Sequence, residues 1–213
     1  MEVQKEVGRV LIIAGGVCEE RALIAEAAAA ADTVICADKG LDYALDAGIT
    51  PDILIGDFDS LSGDIPKYVE CVKLPCEKDD TDLGAAVRLA ESRNASSVRI
   101  ICAFGGRPDH ELAAIQTVLG SVARGFDTSI TGKCAEVYAV VGERTFKKAK
   151  HRYISVFCLG ETASGISIEG AKYPLHDAEL NSFFPQGVSN EFVDPEVRIS
   201  VKKGALAVML ING

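Results

Sequence analysis

The sequence contains no tryptophan, only two methionines and no cysteine pair of the C-x-x-C type. Its seven cysteines are odd in number and form no C-x-x-C motif, which argues against a zinc site and against a disulfide framework. Several cysteines lie in apolar runs such as V-I-C-A and I-I-C-A, so we interpret them as reduced, buried residues that act as small apolar side chains. This interpretation predicts that the protein works in a reducing cytoplasm.

Long apolar runs and basic blocks are also scarce. No apolar stretch reaches the roughly 18 residues of a membrane span, and the start M-E-V-Q-K-E lacks the apolar segment of a secretion signal. The longest basic block is K-K-A-K at 147–150, in a chain whose net charge is −9. We therefore predict no membrane insertion, no export, and no binding to nucleic acid or to an anionic membrane surface.

The hydrophobic pattern changes along the chain near residue 126. Before that point, short apolar runs alternate with helical periodicity, which is typical of a mainly parallel sheet with crossover helices. The predicted strands are 9–14, 33–37, 53–55 and 98–103, and the predicted helices are 19–31, 41–47, 82–93 and 111–124. Residues 1–125 are therefore predicted to form an α/β domain.

Residues 126–213 show short strand patterns separated by turn signals, with little helical periodicity. The predicted strands are 135–141, 144–148, 153–158, 165–169, 196–201 and 205–211, with turns at Gly142-Glu143 and at 202–204. Such a pattern favours an antiparallel sandwich or a small barrel. We therefore predict a second domain, all-β and sandwich-like or barrel-like, over residues 126–213.

Polar clusters follow four of the predicted strands in the α/β domain. These clusters are G-G at 15–16, D-K-G at 38–40, G-D-F-D at 56–59 and G-G-R at 105–107. Ligands of open α/β sheets bind beyond the carboxyl ends of the strands. The four clusters are thus predicted to meet at one edge of the sheet.

Acidic residues dominate two segments near that edge. Asp57 and Asp59 stand one residue apart after an apolar strand, and D-D-T-D occupies 79–82. Carboxylates at the exit of a buried strand need a cation or hydrogen-bond donors, and Mg²⁺ commonly bridges protein carboxylates to substrate phosphates. The pattern indicates a magnesium-phosphate site.

Each motif also has a purely structural interpretation. Asp57 can cap the following turn, and the acidic segment at 79–82 can cap the helix that it precedes. Arg107 offers a forked guanidinium for phosphate, but the G-G-R segment can equally be a strand-to-helix turn capped by Asp109. The residues alone leave these alternatives open.

Taken together, the motifs resemble a known family. The segments A-D-K-G-L-D-Y-A-L-D-A-G-I-T-P-D-I-L-I-G-D-F-D-S-L, E-K-D-D-T-D-L and G-G-R-P-D-H-E-L-A occur in the order and spacing of bacterial thiamine pyrophosphokinases. In the second half, G-A-K-Y-P-L at 170–175 and G-V-S-N-E-F at 187–192 resemble the thiamine-binding domain of that family. The resemblance spans nearly the whole chain, and the ordered set is far more specific than any single motif.

The resemblance implies an activity and an assembly. Enzymes of this family transfer the terminal pyrophosphoryl unit of ATP to the hydroxyethyl oxygen of thiamine, with Mg²⁺, and release AMP. They are homodimers in which thiamine lies between the α/β domain of one subunit and the β domain of the other. Residues 1–125 would therefore bind ATP and Mg²⁺, and residues 126–213 would bind thiamine in active sites shared by two subunits.

The resemblance also implies roles for single residues. The magnesium ligands would be Asp57, Asp59 and Asp82, and these three with Arg107 and Asp109 would form the catalytic set. The substrate-binding residues would be Asp38, Lys78, Asp79, Thr81, Ser189 and Asn190. Asp109 could accept the proton of the alcohol or simply orient it. The chain departs from the family at Ala114, where asparagine is common, so a polar contact near the site would be missing or would be supplied by another group such as Gln116.

Two other functions compete with this one. A diphosphokinase acting on another alcohol, such as a hydroxymethylpterin, would keep the acidic motifs but change the pocket in the second half. A non-enzymatic sensor of thiamine or a nucleotide would need the pocket but not the carboxylates. The segments at 170–175 and 187–192 favour thiamine, and the intact Asp57, Asp59 and Asp82 favour an enzyme.

Overall fold

A computed structural model of the protein describes residues 8–18, 20–59, 61, 63–75 and 79–213. Contacts divide the chain into two compact units, the first reaching residue 117 and including 126–132, the second comprising 118–125 and 133–213. The first unit contains a parallel sheet with helices and the second contains antiparallel strands. The predicted fold class is therefore confirmed.

Six strands form the sheet of the first unit, all of them parallel, in the order β6-β5-β1-β2-β3-β4. The elements in chain order are β1 (Arg9–Ile13), α1 (Arg21–Ala29), β2 (Thr33–Ala37), α2 (Gly40–Asp46), β3 (Ile53–Gly56), β4 (Glu70–Lys73), α3 (Asp82–Ser92), β5 (Ser97–Ile101), α4 (Pro108–Ala123) and β6 (Thr128–Thr131). Strands β2, β3 and β4 are added in turn on one side of β1, and β5 and β6 are then added on its other side. The strand order thus reverses between β1 and β5, where open α/β sheets bind their ligands.

The central strands of this sheet are continuous apolar runs because helices cover both of its faces. In β1 and β2 the residues Leu11, Ile13 and Cys36 are fully buried, and they pack with Ile24 of α1 and Leu41 of α2. Strands β4 and β6 were not predicted. The sequence of β4, E-C-V-K, is mostly exposed at the edge of the sheet, and the sequence of β6, T-S-I-T, is short and polar. The buried strands were therefore predictable and the less apolar ones were not.

The helices of the first unit follow the predicted periodicity with small shifts at their ends. Thr81 caps α3, because its side-chain oxygen accepts a hydrogen bond from Gly84 N–H at 2.9 Å. A cap of this kind contributes about 1 kcal/mol to helix stability. Within the described ranges, none of the helices has both the length and the apolar character needed to cross a membrane.

The second unit is built from antiparallel strands that share their longest member. The strands are β7 (Ala135–Lys147), β8 (His151–Cys158), β9 (Thr162–Glu169), β10 (Leu175–Asn181), β11 (Gly187–Glu191) and β12 (Glu196–Asn212). Strand β12 pairs with β7 along its length, with β9 through its first half and with β8 through its second half. Its core contains Phe146, Ile154, Ile199 and Val208.

The turns predicted at Gly142-Glu143 and at 202–204 are wrong. Both segments lie inside continuous strands, β7 and β12. Gly142 and Gly204 have φ of 81° and 94°, and the β7–β12 register shifts between Val201 and Leu206. Glycine at positive φ lets a paired strand bulge and bend without ending. The polar strands β10 and β11 were also missed, because L-H-D-A-E-L-N and G-V-S-N-E lack a clear apolar alternation.

The prediction that the cysteines are buried holds for only part of the set. Cys36, Cys102 and Cys158 are buried, and burial raises the pKa of the Cys36 thiol. The prediction is wrong for Cys71 and Cys134, which are free but exposed. Cys71 lies in the mostly exposed strand β4 and Cys134 directly precedes β7, and at such positions an apolar neighbour in sequence does not imply burial. Cys76 lies outside the described residues.

Candidate active site

A cleft of about 640 Å³ opens at the carboxyl edge of the parallel sheet. Its walls come from the loops after β1, β2 and β5 and from the first residues of α3 and α4, all within the first unit. The lining residues include 14–17, 37–39, 80–83, 106–107 and Ala114. The structure thus brings three of the four predicted polar clusters into one cleft.

The loops after β1 and β5 are joined by backbone hydrogen bonds on one wall of this cleft. Gly16 N–H donates to the Cys102 carbonyl at 2.8 Å, and Val17 N–H donates to the Phe104 carbonyl at 2.9 Å. A Cβ atom at Gly16 would lie 2.6 Å from the Cys102 oxygen, closer than real Cβ atoms approach. Gly16 is therefore required for the close contact of the two loops.

The fourth cluster supplies carboxylates next to the loop after β2. Asp38, Asp57 and Asp59 each offer a carboxylate oxygen, and these oxygens lie within 4.8 Å of one another. The hydrogen bond and the charge of Asp57 are the main causes that raise the pKa of Asp59, with smaller contributions from desolvation and from the charges of Asp38 and Asp82. Three like charges this close repel each other, so the group has a strong electrostatic reason to bind a cation.

Asp82, the third magnesium ligand implied by the resemblance, lies outside this group of three carboxylates. Among the described residues, the group within 4.8 Å contains Asp38 in place of Asp82. Asp82 is the first residue of α3 and lines the cleft beside its cap, Thr81. Its charge still acts on Asp59. Asp82 therefore belongs to the same electrostatic environment as the three carboxylates, and it lies at the N-terminus of α3.

The rest of the D-D-T-D segment is engaged in local structure. Asp80 accepts a hydrogen bond from Thr81 N–H at 2.8 Å and forms an ion pair with Arg88. Asp79 is exposed and is not part of the cleft lining. The capping interpretation is thus correct for Thr81, and it coexists with a place in the cleft. Lys78, the remaining residue predicted here, lies outside the described residues.

Arg107 and Asp109 hold each other at the start of α4. The Arg107 guanidinium donates two hydrogen bonds to the Asp109 carboxylate, Nε to Oδ1 at 3.1 Å and Nη2 to Oδ2 at 2.6 Å. These bonds are the largest cause that lowers the pKa of Asp109. Helix α4 begins at Pro108, so Asp109 lies in its first turn, where its carboxylate also accepts His110 N–H.

Ser189 and Asn190 of the second unit differ sharply in their surroundings. The Asn190 side chain is buried, accepts a hydrogen bond from Tyr173 N–H at 2.9 Å and donates one to the Tyr173 carbonyl at 2.8 Å. Ser189 is exposed, has φ of 59°, and donates its N–H to Ser155 Oγ at 3.0 Å. Asn190 therefore fixes the segment that carries Tyr173, whereas Ser189 lies at the surface.

Exposed aromatic residues lie on the same unit. Tyr173, Phe183 and Phe184 are 63%, 88% and 65% exposed, whereas Phe192 is buried in the core. Large exposed apolar groups of this kind often mark a binding surface.

Sequence reasoning assigned no role to Lys39 or Tyr43, and both residues line the cleft. Only Lys39 was marked by a motif, as a member of the D-K-G cluster after a predicted strand. Ala114 is buried in the cleft lining, and Gln116 is exposed and does not line it. Two residues along a helix differ by about 200° in direction, so Gln116 does not replace a polar group at position 114.

Comparison with known proteins places this arrangement in a family. The catalytic-domain model of thiamin pyrophosphokinase matches residues 24–130, and the vitamin B1 binding-domain model of the same enzyme matches residues 143–206. The thiamine pyrophosphokinase of Bacillus subtilis (strain 168) is 30% identical over 179 residues, which cover 81% of this chain and 84% of the relative.

Solved structures agree with the family models. The crystal structure of thiamine pyrophosphokinase from Bacillus subtilis has a TM-score of 0.83 at 27% identity, covering 96% of this chain and 99% of that one. The yeast thiamin pyrophosphokinase, at 16% identity, has a TM-score of 0.78 over 97% of this chain and 86% of its own, which supports the fold alone.

These matches define a class of enzymes in which a catalytic-domain sequence is followed by a vitamin B1 binding-domain sequence. The chain belongs to the thiamine pyrophosphokinase family. It is accordingly an enzyme of thiamine diphosphorylation, and the match of the second unit to a vitamin B1 binding domain does not favour a pterin diphosphokinase or a non-enzymatic sensor.

Proposed function

We propose that the cleft of the first unit transfers a diphosphate from ATP to thiamine, with Mg²⁺ held by Asp57, Asp59 and Asp38. The observation that carries this proposal is the group of three carboxylates at the carboxyl edge of the sheet, next to a glycine-lined cleft. Their hard oxygen donors suit Mg²⁺, and their mutual repulsion suits any divalent cation. When bound, the ion would offset charge on the phosphate oxygens.

The chain's own groups would orient the phosphates. Backbone at Gly15 and Gly16 lets a phosphate chain approach the wall closely, and the N-termini of α3 and α4 direct positive dipole ends toward anions. Asp82 and Thr81 lie at the first of these termini. We retain Asp82 as a further carboxylate of the site, with Lys78 and Asp79 as substrate contacts of the adjoining segment.

The reaction requires the hydroxyethyl oxygen of thiamine to attack the β-phosphorus, as AMP leaves and the hydroxyl proton is released. Asp109 is a candidate partner for that hydroxyl. Because Arg107 lowers its pKa, Asp109 is a weak base that stays ionised and accepts a hydrogen bond more readily than a proton. We therefore assign Asp109 to orienting the alcohol and Arg107 to positioning Asp109 and contacting phosphate oxygens.

The acceptor side of the site is proposed to come from the second unit of a partner subunit. Ser189 faces the surface, Asn190 fixes the adjoining segment, and the exposed Tyr173, Phe183 and Phe184 provide aromatic area. Covering such groups by a second copy in a homodimer would remove apolar surface from water. The free thiols at exposed Cys71 and Cys134 support a reducing cytoplasm as the location, and the net charge of −9 supports small-molecule substrates over nucleic acid or membrane partners.

An assay of AMP release tests the activity directly. The protein with ATP, Mg²⁺ and thiamine should form AMP and thiamine diphosphate in equal amounts, both measured by chromatography. Parallel reactions should contain a hydroxymethylpterin in place of thiamine. Turnover with the pterin alone, or tight thiamine binding with no AMP, would replace the proposal by one of the two rival functions.

The geometry of Arg107 predicts that charge alone does not suffice at this position. Arg107→Lys removes the two-point contact with Asp109, and an ammonium does not reproduce the guanidinium fork. We expect kcat/KM to fall by about a hundredfold, since the interaction contributes on the order of 3 kcal/mol in a transition state. Arg99→Lys, at an exposed position on β5, is the matched control and should keep wild-type kinetics. Wild-type rates in Arg107→Lys would show that the guanidinium only shapes the turn.

The homodimer predicts that two inactive variants restore each other. Asp57→Asn disables the first unit, and Ser189→His places a bulky ring in the thiamine pocket at a positive φ that histidine tolerates better than most residues. In a mixed dimer one composite site carries both changes and the other carries neither. Activity should rise after subunit exchange, measured alongside exchange of a labelled subunit. Complete exchange without recovery, or a monomer in sedimentation, contradicts shared sites.

A further inference from the structure

Lys39 is a cation in the cleft that none of the roles above uses. It follows Asp38 directly, and its side chain lines the cleft. Its stem starts beside the glycine loop, where a Cβ at Gly15 would touch Lys39 Cβ at 3.4 Å. Within the part of the chain that the structure describes, no carboxylate forms an ion pair with it, whereas Arg107 is already held by Asp109.

Tyr43, one helical turn later on α2, holds both Lys39 and the glycine loop. The Lys39 ammonium lies 5.6 Å from the centre of the Tyr43 ring, within the range of a cation–π contact. The Tyr43 hydroxyl donates a hydrogen bond to the Gly16 carbonyl at 2.6 Å. Gly40, at the start of the same helix, packs against the end of β1 and fixes this turn.

The hydrogen bond from Tyr43 has an electrostatic consequence for a polyanion. The Gly16 carbonyl is satisfied by the hydroxyl, and the N–H of the same peptide, on Val17, is satisfied by Phe104. An unsatisfied carbonyl on a phosphate-binding wall would repel the phosphate oxygens, because both carry partial negative charge. The wall therefore presents glycine Cα atoms and the Lys39 ammonium to the cleft.

We propose that Lys39 binds the phosphate chain of ATP beside the acidic group, and that Tyr43 is a positioning residue that aims Lys39 and keeps the Gly16 carbonyl away from the phosphates. This inference rests on the proposed ATP site in the cleft. The phosphates must reach a cation held by Asp38, Asp57 and Asp59, and Lys39 is bonded through the backbone to the first of these residues. An ammonium there offsets the part of the negative phosphate charge that the divalent ion does not neutralise.

The contribution of Lys39 to nucleotide affinity should depend on the number of phosphates that the nucleotide carries. Lys39→Met keeps the length of the side chain and removes its charge, so the KM for ATP should rise about tenfold, the cost of losing one charge-assisted hydrogen bond. The affinity for AMP, measured by calorimetry, and the KM for thiamine should stay within about twofold of wild type. Lys39→Arg should recover most of the ATP affinity. Lys67→Met, an exposed lysine outside the cleft, is the control.

Tyr43→Phe separates the positioning role from the ring contact. It keeps the aromatic face under Lys39 but removes the hydroxyl that holds Gly16. We expect the KM for ATP to rise by about threefold, with kcat and the KM for thiamine unchanged. Tyr68→Phe, at an exposed tyrosine, should have no effect.

Three results would overturn the inference. They are an ATP KM within twofold of wild type in Lys39→Met, an equal loss of ATP and AMP affinity, or no recovery in Lys39→Arg. In each case wild-type formation of thiamine diphosphate would leave the proposed function intact. Failure of the wild-type protein to bind ATP at all would instead remove the proposed function, independently of both variants.

Discussion

Asp57→Asn is expected to abolish turnover and at the same time leave the metal-free protein as stable as the wild type or more so. The carboxylate lies in a group whose oxygens are within 4.8 Å of one another, and it raises the pKa of Asp59 through a hydrogen bond and its charge. Neutralising one of these groups relieves repulsion in the folded state. It also removes a ligand that Mg²⁺ needs, so kcat/KM should fall by about a hundredfold or more at ordinary Mg²⁺.

The opposite directions of these two effects make the experiment decisive. Thermal unfolding in a chelator reports the repulsion, and product formation over a series of Mg²⁺ concentrations reports the metal. Asp64→Asn, at an exposed aspartate outside the group, should change neither measurement. Near-wild-type activity of Asp57→Asn would remove the metal assignment. A large loss of stability in the chelator would instead show that Asp57 serves the fold.

Gly40→Ala should destabilise the first unit far more than the addition of one methyl group suggests. A Cβ at Gly40 would overlap the carbonyl oxygen of Ile13, the last residue of β1. Because this oxygen belongs to the backbone, it cannot move away by a change of side-chain rotamer. Overpacking of this kind costs on the order of 3 kcal/mol, which is a large part of the stability of an ordinary domain. Helix α2 would have to move away from the sheet, carrying Asp38, Lys39 and Tyr43 with it.

The measurements for this variant are the urea midpoint and the KM for ATP. We expect a lower midpoint with an unchanged slope, together with weakened ATP binding in whatever fraction folds. Gly63→Ala is the matched control, because no atom lies within 4 Å of its added Cβ and its φ is not in the left-handed region. An unchanged midpoint in Gly40→Ala would mean that α2 shifts at little cost.

The parts of the fold that could be predicted are those governed by continuous burial. Strands β1, β2, β3 and β5 read as apolar runs because helices cover both sheet faces, and the polar loops at their ends marked the edge where the cleft lies. The motif Thr81-Asp82 was informative in both of its interpretations, since the cap of α3 faces the cleft. Local pattern and tertiary position agree at these places.

The remainder depends on distances that a sequence does not carry. Asp38 stands 19 residues before Asp57, and only the parallel pairing of β2 with β3 brings their carboxylates together. Gly142 and Gly204 look like turn residues until the pairing of β7 with β12 makes them bulges. Asn190 was named from the resemblance alone, and only the fold shows that its amide hydrogen-bonds to the backbone of Tyr173, 17 residues earlier. Long-range pairing decides each case.

Strand β12 also determines when the second unit can assemble during synthesis. It pairs with β7, β8 and β9, and it comes after all of them in the chain. Until residues 196–212 leave the ribosome, those earlier strands lack their common neighbour, whereas the parallel sheet of the first unit has all its strands once Thr131 has emerged. Nascent chains of this protein should therefore pass through a period in which the first unit is folded and the second unit still exposes open strand edges, the state that molecular chaperones recognise.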